Sequence, residues 1–65
     1  MEILVNGADE RCRPGSVASL VADRGLPPEA LVVELNGEVI RQERWSQIQL
    51  KDGDRLELLR FVGGG

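Results

Sequence analysis

The sequence predicts an α+β fold in which a mixed sheet of four to five strands packs on one short helix. Three observations predict it. Short segments of alternating apolar and polar residues open and close the chain, two Asn-Gly pairs punctuate such segments, and one stretch alone carries apolar residues at helical spacing. With 65 residues there is room for one hydrophobic core and one domain, and a domain this small buries only about 60% of the surface its unfolded chain exposes.

Residues Glu2 to Asn6 begin as a strand with Ile3 and Val5 on one face and Leu4 on the other, and Asn6-Gly7 supplies a tight hairpin turn. A second strand follows over about Asp9 to Arg13, with Cys12 as a small buried side chain between the exposed Arg11 and Arg13. Pro14-Gly15 breaks that strand. Ser16 then offers a side-chain cap to a helix of about eight residues, on which Val17, Leu20 and Val21 recur at helical spacing. Arg24 suits the negative end of that helix, Gly25 ends it, and Pro27-Pro28 forbids its continuation.

Leu31 to Asn36 reads as a third strand, and Asn36-Gly37 repeats the turn chemistry before a short apolar pair, Val39-Ile40. The connection from Arg41 to Gln49 is polar except for Trp45 and Ile48, and Trp45 is expected to close one end of the core. Asp52-Gly53-Asp54 is a turn signal leading into a last strand, Arg55 to Phe61, where Leu56 and Leu58 alternate with Glu57 and Leu59. One helix laid across this sheet hides Ile3, Val5, Val17, Leu20, Val21, Leu56 and Leu58 together. The order strand, strand, helix, strand, short strand, strand is that of a β-grasp, with the domain over 1–61 and a flexible glycine-rich tail over 62–65.

Composition excludes several classes of function. Hydrophobic residues make up 42% and charged residues 29%, as in an ordinary globular domain. Net charge is −3 and no segment clusters Lys or Arg, which disfavours nucleic acid. No apolar run exceeds four residues, against roughly 20 for a bilayer span, and the N-terminus lacks the pattern of an export signal. A single cysteine forms no disulfide within the chain, as suits the reducing cytoplasm expected for it. There is no His or Tyr, so neither a metal-ligand cluster nor a Cys/His nucleophile pair is available, and self-contained enzymology is not expected.

The opening "MEILVNG", the "VELNGEVI" segment, "RW" followed by "LKDGDRLELLRFV" and the terminal "GGG" together resemble the ThiS family of sulfur carriers, with ubiquitin a more distant relative. The resemblance spans nearly the whole chain. It implies a carrier that binds no cofactor of its own. An E1-like adenylyltransferase would use ATP and Mg to adenylate the terminal carboxylate, a sulfur-donating protein would supply sulfur to form a thiocarboxylate, and thiazole synthase would receive it. The adenylation and thiocarboxylate site falls on Gly65, with Gly63 and Gly64 in the tail; three glycines stand here where the family requires two. Sulfur delivery to molybdopterin or another product is an alternative within carriers. A ubiquitin-like modifier of lysines, or a passive interaction module, is an alternative of another class.

Physical chemistry agrees with such a tail. A carboxylate is an anion at neutral pH and resists nucleophilic attack, so activation is obligatory and the cationic groups for it must come from a partner. Glycine leaves the carbonyl carbon unhindered and lets backbone approach a nucleotide closely. Extended, Val62 to Gly65 span at most about 13 to 14 Å, enough to enter a narrow channel.

Leu59 and Phe61 are expected on the sheet face away from the helix, with Leu4 nearby, as a patch for docking the partner. Cys12 invites a part in sulfur chemistry, but a small half-buried strand residue is the reading preferred here. Asp52 and Asp54 are read first as turn formers.

Overall fold

The computed structural model describes residues 1–61. Alternation at the N-terminus produces β1 (Glu2–Val5), which turns through Asn6-Gly7 into the antiparallel β2 (Ala8–Arg11). Asn6 and Gly7 both have positive φ, +51° and +82°, the geometry of a turn whose twist matches the strands it joins. Asn36 and Gly37 repeat it at +52° and +87° between β3 (Leu31–Leu35) and β4 (Glu38–Ile40).

Between the hairpins lies α1 (Val17–Asp23), seven residues long, with the Ser16 hydroxyl accepting from the Ser19 amide at 3.1 Å. Arg24 caps its far end and Gly25 follows at φ +68°. The last strand, β5 (Arg55–Arg60), pairs parallel with β1 and antiparallel with β3, so the sheet order is β2-β1-β5-β3-β4. The sheet is therefore mixed, five-stranded and crossed by one helix, as expected.

All seven residues predicted for the core are buried, and Leu31, Val33, Ile40, Trp45 and Leu50 join them. Trp45, buried as expected for a side chain closing one end of the core, sits on a 3-10 helix, Gln42–Gln47, within the otherwise mostly polar connection. Its Nε1 donates to the Ile40 carbonyl at 3.0 Å, which meets the polar need of a buried indole. Leu50 is drawn in by the backbone: its amide donates to Gly15 O at 2.9 Å and the Val17 amide to Ile48 O at 3.0 Å, tying the segment before β5 to the start of α1.

Two expectations are corrected. The second strand ends at Arg11 rather than Arg13, which leaves Cys12 beyond it, half-buried against the core. The backbone still pairs there, with the Cys12 amide donating to Met1 O at 2.9 Å and the Met1 amine to Cys12 O at 3.0 Å. The helix has seven residues, in keeping with about eight, but Pro28–Ala30 forms a 3-10 turn where the two prolines signalled only a break.

Candidate functional site

The glycines assigned to the chemistry, Gly63, Gly64 and Gly65, lie outside the described residues. What the described residues establish is the root from which they follow. β5 occupies the middle of the sheet, and several hydrogen bonds hold it from both sides. On the β1 side the Asn6 amide donates to Leu56 O and the Asn6 side-chain carbonyl accepts from the Leu58 amide, each at 2.8 Å. On the β3 side the Asn36 amide donates to Arg55 O at 2.8 Å, and Asn36 Oδ1 accepts from the Arg55 amide at 2.9 Å. The two Asn-Gly turns are thus clamps on β5 as well as hairpin turns. At the other end the Phe61 amide donates to Ala30 O at 3.1 Å, so the chain is anchored in the sheet through Phe61.

Asp52 and Asp54 complete the start of β5 as turn formers. Asp52 Oδ1 accepts from the Glu2 amide at 2.8 Å, and Asp54 accepts from the Lys51 amide through Oδ2 at 2.8 Å and from Asn36 Nδ2 through Oδ1 at 3.1 Å.

Leu59 and Phe61 are 50% and 51% exposed. The register sets Leu59 opposite Val32 and Glu34 opposite Val39, which is 61% exposed, so Val32, Val39 and Leu59 share the outer face of the sheet. Leu4 does not join them. It pairs with Arg55, four residues from Leu59 along β5, or about 13 Å at the rise of a strand. The chain order of the strands hid this, because β1 and β5 run parallel with a short overlap. Val32 and Val39 were missed as patch members; the Asn36-Gly37 turn was the signal for them, since a two-residue hairpin fixes which residues face each other.

Cys12 lines a groove with Arg13 and Arg24, whereas Arg11 pairs with Glu2 on the opposite face. Arg24 is held by an ion pair with Glu10. Among the described residues no group of three or more Cys, Asp or Glu side chains is arranged to hold a metal ion. No helix among them is long and apolar enough to cross a membrane.

A five-strand mixed sheet in this order, crossed by one helix and with its central strand running on toward the glycines, defines a ubiquitin-like β-grasp domain. The family model of ThiS matches residues 3–65, and the chain belongs to the ThiS family. It is 36% identical over 63 residues to the sulfur carrier protein ThiS of Bacillus subtilis, covering 94% of this chain and 96% of that protein. It is 30% identical over its whole length to a thiazole synthase of Paramagnetospirillum magneticum, of which it spans 20% of the length. The crystal structure of the thiamine biosynthesis protein ThiS from Geobacter metallireducens superposes with a TM-score of 0.86 at 36% identity, covering all of both chains.

Proposed function

We propose that the chain is a sulfur carrier for thiazole formation in thiamin biosynthesis and works through the carboxylate of Gly65. The observation that carries this reading is the continuous match to the ThiS family through residue 65, which takes in the glycines together with the folded body. In the proposed cycle the carboxylate attacks the α-phosphorus of ATP on an E1-like adenylyltransferase, with Mg, and pyrophosphate leaves. A persulfide on a donor protein then attacks the carbonyl carbon and displaces AMP, and a thiol cleaves the resulting acyl disulfide, leaving the thiocarboxylate and a disulfide between that thiol and the donor. Thiazole synthase takes that sulfur. The chain acts as a co-substrate of these enzymes and not as an enzyme, in the cytoplasm, with 1–61 as the body and 62–65 as the reacting tail.

Thiazole synthase as acceptor is supported by the matching segment inside a thiazole synthase. Placing a carrier-like segment on the synthase's own chain raises the effective concentration of one for the other. The adenylation step is tested by pyrophosphate exchange into ATP catalysed by the adenylyltransferase. Exchange that depends on this chain is expected, and its absence would contradict the reading.

Two variants separate the parts of this proposal. Phe61→Asp should fold normally, since the side chain is half exposed, and bind the adenylyltransferase about tenfold more weakly by calorimetry. Unaltered affinity would remove Phe61 from the docking patch. Cys12→Ser should be thiocarboxylated as fully as the native chain, because Cys12 belongs to the core margin; loss of loading would give the thiol a part in the chemistry.

A further inference from the structure

On the outer sheet face the register sets Glu34 directly opposite Glu57. Side chains in such a pair have Cβ atoms about 4.5 to 5.5 Å apart, and like charges placed there destabilise the sheet. Among the described residues neither carboxylate takes part in an ion pair; that between Arg24 and Glu10 lies on the other side of the sheet. Both carboxylates line a groove with Leu4, Gly7, Gly37 and Arg55, whose guanidinium forms no ion pair with either among the described residues; Val39 lies opposite Glu34, and Val32 and the half-exposed Leu59 follow along the same face.

A body that keeps two facing carboxylates beside exposed apolar side chains is complementary to a surface with a cation next to an apolar residue. A guanidinium matches best, because its planar fork donates to two carboxylates at once. We propose that the outer sheet face is a docking surface on which Glu34 and Glu57 together receive an arginine of the adenylyltransferase, while Leu59 and Val32 cover an adjoining apolar residue. This rests on the sulfur-carrier reading and adds to it the chemistry of the partner's surface. The carboxylates then serve association at the expense of the sheet, so neutralising them has opposite effects on folding and on binding.

The test is calorimetric titration of the adenylyltransferase with the native chain and with Glu34→Gln/Glu57→Gln, beside thermal melts of both. The double variant should melt about 1 to 4 °C higher through relief of the repulsion. It should bind about tenfold to a hundredfold more weakly, with a shallower dependence on salt. A double variant that binds as the native chain does, while the native chain is activated with ATP, would overturn this inference and leave the carrier reading intact. A native chain that neither binds nor is activated would overturn both.

Discussion

Gly65→Ala is expected to abolish most sulfur loading while leaving the fold and its melting temperature nearly unchanged. The added methyl group stands beside the carboxylate that must attack ATP and the carbonyl carbon that sulfur must attack once adenylation has made it reactive. It also narrows the backbone angles open to the residue as it enters the nucleotide site. Misplacing reacting atoms by about 1 Å lowers a rate by about a hundredfold, so a loss of that order in adenylate formation is the expected magnitude. Stability should move by less than about 0.5 kcal/mol, because among the described residues every core side chain lies between Ile3 and Leu58. Pyrophosphate exchange and a thermal melt measured side by side check both halves; a variant that loads normally, or one that fails to fold, would contradict the division between body and tail.

Trp45→Ala is expected to do the reverse, unfolding the body. Trp45 is 4% exposed, and its loss leaves a cavity together with the Ile40 carbonyl without its donor. Removing a buried tryptophan costs about 3 to 5 kcal/mol. A domain of 65 residues has about 3 to 10 kcal/mol of stability in all, so a large part of the population should be unfolded at 37 °C. Trp45→Phe keeps most of the packing and loses the hydrogen bond, about 1 kcal/mol. Urea titration followed by far-UV circular dichroism measures both, without relying on the fluorescence that the substitution removes. A Trp45→Ala chain as stable as the native one would show that the connection contributes nothing to the core.

The contrast between these variants follows what was legible in the chain. Ile3, Val5, Leu56 and Leu58 were readable as core from alternation, and Val17, Leu20 and Val21 from helical spacing, because each pattern repeats within one element. Both Asn-Gly turns were readable because their conformation is a local requirement. Contacts between distant segments were not. Asn6 Oδ1 meets the Leu58 amide 52 residues away, and Leu50 enters the core through a backbone bond to Gly15. No periodicity records either.

The candidate site divides in the same way. Leu59 and Phe61 were placed on the outer face by alternation within one strand. The position of Leu4 depended on the parallel register of β1 with β5, and the facing of Glu34 and Glu57 on the register of β3 with β5. Those registers follow from packing of the whole sheet. The end of β2 at Arg11 instead of Arg13 has the same origin, since its ladder with β1 runs from Val5 opposite Ala8 to Glu2 opposite Arg11 and the bonds between Met1 and Cys12 close it.

The central claim concerns the carboxylate of Gly65, and intact-protein mass spectrometry after incubation with ATP, Mg, the adenylyltransferase and a sulfur donor tests it most directly. The account predicts a mass gain equal to one oxygen replaced by one sulfur, mapped by fragmentation to Gly65. An unchanged mass in a mixture that supports carrier-dependent pyrophosphate exchange, or sulfur found on Cys12 instead, would contradict it.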